Sequence, residues 1–280
     1  MSLISPEALH ERLAEPRLRI ADVRWYLGKP GAGRAAFEAG HLPGAIFLDL
    51  DSDLSAPTGP GRHPLPDPGS FARHLGGLGI GTDAFVVAYD DAGGGVAARL
   101  WWMLDDLGHQ DVAVLDGGIG AWTAAGYPLS TEEPAWPPGR LELAPQWSKV
   151  IDREGLVSRL GSVVLLDARA PARYRGHVEP IDPVAGHIPT ALNVPLDGNL
   201  GPDGRFLSPD ALRARFRGLV GAAADVVTSC GSGTNACQNA LAMRLAGLPD
   251  PLLYPGSYSD WSRSGMPVAT GPEPGEPPLN

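Results

Sequence analysis

The chain has 280 residues, of which 43% are hydrophobic. That is long for one core and too apolar for a disordered chain, so two domains of roughly 140 residues are expected. A formal net charge of −10 argues against nucleic acid as a partner, and two cysteines rule out a disulfide framework and fit a reducing cytosol. The start, Met1-Ser2-Leu3-Ile4-Ser5-Pro6-Glu7, lacks the basic and apolar segments of a signal peptide. No run approaches the roughly eighteen apolar residues of a membrane span, so a cytoplasmic protein with no membrane partner is expected.

In chain order, a first helix is expected after Ser5, which caps it, with Pro6 in its first turn. Short apolar strands then alternate with helices: Arg19 to Val23, Ile46 to Leu50, Ala84 to Tyr89 and Val112 to Leu115. Residues 130–145 are rich in proline, glutamate and glycine, as an extended semi-rigid linker is. A second helix start follows at Asp152, and the strands Val163 to Asp167, Leu192 to Pro195, Asp225 to Ser229 and Leu252 to Tyr254 repeat the plan. The tail from Thr270 is proline- and glycine-rich, a composition that predicts disorder.

The two halves repeat each other. Leu18-Arg19-Ile20-Ala21-Asp22-Val23-Arg24 matches Val163-Val164-Leu165-Leu166-Asp167-Ala168-Arg169, and Gly40-His41-Leu42-Pro43 matches Gly186-His187-Ile188-Pro189. Val86-Val87-Ala88-Tyr89-Asp90 matches Val226-Val227-Thr228-Ser229-Cys230; Gly117, Trp122, Gly126 and Pro128 match Gly256, Trp261, Gly265 and Pro267. A period this long indicates a duplicated domain rather than a solenoid. Alternating β and α segments with continuous apolar strands predict an α/β fold, a parallel sheet flanked by helices in each half. The boundaries expected are 1–129, a linker 130–147, 148–269 and a disordered tail 270–280.

Cys230 ends the strand and opens a tight loop, Gly231-Ser232-Gly233-Thr234-Asn235-Ala236, that leads into a helix. Ligands of open α/β sheets bind at the carboxyl ends of strands, and the free N–H groups of a helix N-terminus hold an anion there. A thiolate in such a place is a usable nucleophile. The first half has Asp90 at this position, followed by Asp91-Ala92-Gly93-Gly94-Gly95, and so has no nucleophile. Cys237 lies about two helical turns beyond Cys230, outside redox spacing, and is expected to be a core thiol. His41 and His187 recur in both halves and are read as structural, as is Arg169 as a partner of Asp167. Trp101 and Trp102 are read as a helix face packed in the core or against the other domain. The histidines and cysteines show no metal-ligand spacing, so neither metal nor cofactor is expected.

The duplication, the His-Ile-Pro turn, the Asp-Ala-Arg strand end and the Cys-Gly-Ser-Gly loop resemble the tandem rhodanese-type sulfurtransferases, across all of the chain but the tail. The loop is similar to that of the 3-mercaptopyruvate sulfurtransferase branch. The resemblance implies a silent first half and a second half in which Cys230 accepts a sulfane sulfur from 3-mercaptopyruvate or thiosulfate. The persulfide then passes it to cyanide, a small thiol or a thioredoxin-like acceptor, with the amides of Gly231 to Ala236 holding its charge. The family's substrate-carboxylate arginine falls on Arg173, and its serine, histidine and aspartate relay on Ser232, His63 and Asp51. Two departures stand out: Thr234-Asn235-Ala236 replaces the usual Val-Thr-Ala, and a second arginine of the animal enzymes is replaced by Asp182. Arg175 is the candidate to supply that missing charge. The protein is expected to be a monomer. Two other functions compete. A cysteine-dependent phosphatase or arsenate reductase needs an arginine six residues after the cysteine, where this chain has Ala236. A binding module without catalysis would not need Cys230.

Overall fold

The structure, a computed structural model, describes residues 1–221 and 225–278. The chain forms two units: 1–57 with 65–148 and 200–206, and 58–64 with 149–199 and 207–280. No helix of the described residues is long and apolar enough to cross a membrane.

The first unit runs β1 (Leu3–Ile4), α1 (Pro6–Glu11), β2 (Leu18–Asp22), α2 (Ala32–Ala39), β3 (Ala45–Phe47), α3 (Pro68–Gly77), β4 (Phe85–Tyr89), α4 (Ala97–Asp106), β5 (Val112–Leu115) and α5 (Gly118–Ala124). The Ser5 hydroxyl accepts the Ala8 N–H at 3.2 Å and Pro6 opens α1, so the helix starts where its orphan donors find a partner. The five strands pair in the order β1-β5-β4-β2-β3, all parallel. Every residue of the central strand β4 is buried, as a sheet covered on both faces requires. Residues 130–147 form no helix or strand, and pack on this unit: the Arg19 guanidinium lies 4.0 Å from the Trp136 ring centroid, and Trp147 stacks on Trp102.

The second unit contains α6 (Arg153–Val157), β6 (Val164–Asp167), α7 (Pro171–Tyr174), β7 (Leu192–Asn193), a 3-10 turn at Leu196–Asn199, α8 (Pro209–Val220), β8 (Val226–Ser229), α9 (Ala236–Leu245), β9 (Leu252–Leu253) and α10 (Ser257–Trp261). Its parallel sheet has the order β7-β6-β8-β9, with Asp152 capping α6 through the Gly155 N–H. A parallel bridge between Val150 and Leu253 stands where the first unit has β1. The strand expected over Leu192 to Pro195 ends at Asn193, because Pro195 has no N–H to continue a ladder.

The repeat extends to the buried polar groups. Arg24 is bonded to Asp22 and to the Gly40 carbonyl; Arg169 is bonded to Asp167 and to the Gly186 carbonyl. His41 and His187 each touch a backbone carbonyl, of Phe37 and of Tyr174, at 2.8 Å. These are structural uses, one per unit. The proline-rich tail is placed through residue 278, with the Thr190 N–H donating to the Pro274 carbonyl at 2.7 Å and His187 Nε2 at 3.1 Å from the Glu273 carbonyl. Those backbone partners hold a segment whose composition alone points to disorder; residues 279 and 280 lie outside the described ones.

Candidate active site

Cys230 sits directly after β8, at the carboxyl end of a strand paired on both sides. Its N–H donates to Ser257 Oγ at 3.0 Å, and its carbonyl accepts the Tyr258 N–H at 3.0 Å. Ser257 Oγ in turn donates to the Tyr254 carbonyl at 2.9 Å. Ser257 is buried and holds a φ of 50°, a left-handed conformation that costs a residue with a Cβ on the order of 1 kcal/mol or more. The strain fixes a hydroxyl against the backbone of Cys230. Nothing in the strand-loop-helix pattern marks Ser257; the signal lies in the repeat, where it aligns with Gly118, a glycine with φ of 57°.

The loop after Cys230 is shaped by its glycines. Gly233 has a φ of 76°, and a Cβ there would lie 2.4 Å from the Pro255 carbonyl oxygen. At Gly231 a Cβ would meet Arg62 Nη2 at 2.8 Å and Arg173 Nη1 at 3.4 Å. The missing side chain therefore lets two guanidinia close over the residue next to Cys230. Among the described residues, the N–H groups of Ser232, Thr234 and Ala236 find no acceptor, and buried Thr234 Oγ1 has no partner either. Asn235 is half-buried at the helix start and its side chain makes no capping bond; α9 begins at buried Ala236.

Ser232 and His63 meet. His63 Nδ1 is 2.8 Å from Ser232 Oγ, both residues are buried, and both belong to the second unit although far apart in sequence. Asp51 belongs to the first unit, where its carboxylate accepts the Trp25 indole N–H at 2.8 Å.

Arg173, at the end of α7, is clamped from behind. Its Nη2 donates to Glu179 Oε1 at 2.7 Å and to Asp182 Oδ2 at 3.1 Å. Burial pushes the Glu179 carboxyl up, but hydrogen bonds from Arg173 and from the Asp182 and Ile181 N–H groups outweigh it and hold it below its ordinary value. Asp182 is fully buried and also binds the Arg62 and Arg263 guanidinia. The charge expected from Arg175 is not near this network: Arg175 is exposed, at the C-cap of α7. The second guanidinium over Gly231 is that of Arg62, a residue that pattern reading passes over. Burial pulls the Arg62 guanidinium below its ordinary value, with Asp182 and Cys230 acting in the opposite sense. Cys237 is a buried thiol that donates to the Gly233 carbonyl. No group of three metal-ligating side chains occurs among the described residues.

Two duplicated parallel α/β domains, one with a cysteine at a strand end inside an amide-lined loop, define a rhodanese-like architecture. Models of the rhodanese-like domain match residues 5–125 and 153–264. A probable 3-mercaptopyruvate sulfurtransferase of Pseudomonas aeruginosa is 48% identical over 278 residues, covering 96% of this chain and 98% of that protein. Thiosulfate sulfurtransferase of Rattus norvegicus is 35% identical over 93% of this chain and 90% of its own. The crystal structure of SseA from Escherichia coli, described as a 3-mercaptopyruvate sulfurtransferase with the rhodanese fold, superposes with a TM-score of 0.81 at 32% identity, covering 92% of this chain and 100% of that one. The chain belongs to the rhodanese family, among its sulfurtransferases.

Proposed function

We propose that Cys230 carries a sulfane sulfur from 3-mercaptopyruvate to a small acceptor, with thiosulfate as a second donor. The observation that carries this reading is the loop from Cys230 to Ala236: a cysteine followed by the Ser232, Thr234 and Ala236 N–H groups, which have no protein acceptor among the described residues. The Cys230 thiolate attacks the donor's sulfur, the carbon–sulfur bond breaks, and its electron pair leaves as the enolate of pyruvate. His63, in contact with Ser232, returns a proton to that enolate; the 2.8 Å contact supports this role. The persulfide formed on Cys230 keeps one negative charge, which the loop amides stabilise as fixed dipoles do in an oxyanion hole. Cyanide or a thiolate then attacks the outer sulfur, and the Cys230 thiolate leaves unchanged. With thiosulfate the sulfur–sulfur bond breaks instead and sulfite departs. Arg173 meets the donor's carboxylate. Two features favour mercaptopyruvate: the Cys-Gly-Ser-Gly loop and the His63–Ser232 contact, which gives the enolate a proton source that sulfite does not need. The protein works as a cytoplasmic monomer without cofactor.

Sulfur-transfer kinetics with each donor and cyanide, on the wild type and Cys230→Ser, test the reading. Wild-type turnover with 3-mercaptopyruvate, and a mass gain of one sulfur on Cys230 when acceptor is withheld, are expected; Cys230→Ser loses both. Turnover that survives Cys230→Ser would refute the assignment.

A further inference from the structure

Arg62 is not used in the mechanism above, yet it lies closer to the nucleophile's loop than Arg173 does, judged by where a Cβ on Gly231 would meet each. Its backbone N–H donates to Ser259 Oγ at 3.0 Å, which anchors the 58–64 segment within the second unit. Its Nη1 is taken by Asp182, while Nε is buried without any partner and Nη2 faces Gly231. Nε and Nη2 form the side edge of the guanidinium, the edge that receives a carboxylate in a two-bond fork. Arg173 divides the other way: Glu179 and Asp182 hold its Nε and Nη2, and Nη1 is turned to Gly231. A buried donor left unpaired is costly, and so marks a place where a ligand is due.

The charges agree. Arg62, Arg169, Arg173 and Arg263 form one network with Asp167, Glu179 and Asp182, four cations against three anions. The positive surplus is next to the cysteine, where an anionic donor must arrive. Asp182 binds three of these arginines and is itself fully buried, so it faces the cations rather than the donor.

We infer that Arg62 is a donor-binding residue: its Nε–Nη2 fork, with Nη1 of Arg173, forms a two-guanidinium receptor for the carboxylate of an α-keto thiol donor, and Asp182, bonded to Nη1 of the one and Nη2 of the other, is the positioning residue. This rests on the reading of Cys230 as the sulfur carrier. It makes the segment 58–64 a specificity element, supplying the guanidinium from residue 62 and the proton route from residue 63.

The test is Arg62→Lys, assayed with 3-mercaptopyruvate and with thiosulfate, together with its thermal midpoint and the inhibition of thiosulfate turnover by pyruvate. Lysine keeps a positive charge beside Asp182 but not the fork, so the midpoint should hold. KM for 3-mercaptopyruvate and the inhibition constant of pyruvate should each rise about tenfold, the effect of one charge-assisted hydrogen bond. The KM for thiosulfate, which has no carboxylate, should change less than about threefold, and kcat less than about twofold. Equal changes for both donors, or an unchanged pyruvate constant, would overturn the assignment of Arg62 and leave Cys230 as carrier intact. A wild type that forms no persulfide on Cys230 removes both readings. The pyruvate constant, a binding readout, keeps the test decisive even where the variant lowers kcat.

Discussion

The loop after β4 and the loop after β8 descend from one motif and end in opposite states. In the first unit Asp90 turns its carboxylate into its own loop and accepts the N–H groups of Ala92, Gly94, Val96 and Ala97, each at 2.9 Å. In the second unit the aligned donors include Ser232, Thr234 and Ala236, whose N–H groups have no protein acceptor. The side chains explain the contrast. An aspartate oxygen lies two bonds beyond Cβ, where the outer sulfur of a cysteine persulfide also lies. Asp90 thus occupies a cradle whose counterpart in the second unit is the one proposed above to receive the persulfide. Burial pushes the Asp90 carboxyl up, against the four N–H groups that hold its anion. The first loop therefore differs from the second by more than the lack of a thiol, because Asp90 fills its own cradle.

The sharpest way to break this comparison is to empty the closed cradle. Asp90→Ala leaves four N–H groups unpaired, three of them buried, and is expected to cost about 3–5 kcal/mol of stability, read from urea unfolding. Asp90→Cys in a Cys230→Ser background should give no measurable sulfur transfer, since the first unit has Ala92 where the second has Ser232. Activity in that double variant would show that the amide loop alone suffices. A smaller effect is expected at Ser257, whose first-unit counterpart is Gly118. Ser257→Gly removes the acceptor of the Cys230 N–H while relieving the strain, so kcat should fall about tenfold with stability changed by about 1 kcal/mol or less. An unchanged kcat would make the Ser257 bond a matter of packing.

The smallest effect concerns acid. The Glu179 carboxyl is held below its ordinary value of 4.5 in the folded protein. A depressed carboxyl contributes stability that is complete above the unfolded-state value and is lost as pH falls through the folded-state one. Unfolding free energy should therefore decline below about pH 4.5, and Glu179→Gln should flatten that decline. A wild-type curve that the substitution leaves unaltered would show that Arg173 does not depend on this clamp.

Much of this molecule is legible in its sequence because apolar runs and glycines act locally. The strand ends at Asp22, Tyr89, Asp167 and Ser229 are set by runs that must be buried on both faces, and Cys230 follows from strand, loop and helix in succession. The partners of the cysteine are another matter. His63 meets Ser232 across 169 residues and Arg62 meets Asp182 across 120, and no periodicity relates such positions. His63 is legible only through a family resemblance, and Arg62 beside it, a loop arginine, carries no sequence pattern at all. Arg175 drew the missing charge instead because it is near Arg173 in sequence, but the helical turn sends it to the surface. The closed state of the first loop was equally hidden: Asp90 reads as an absent nucleophile, and only the four donated N–H groups reveal it as a bound anion.

The segment 58–64 comes from the first copy of the repeat but is built into the unit that holds the cysteine, as 200–206 from the second copy is built into the other. A gene duplication usually leaves one copy free to decay. Here cutting the chain at residue 149 would take Arg62 and His63 out of the unit that holds Cys230, so the remaining half would keep its thiol without either of them.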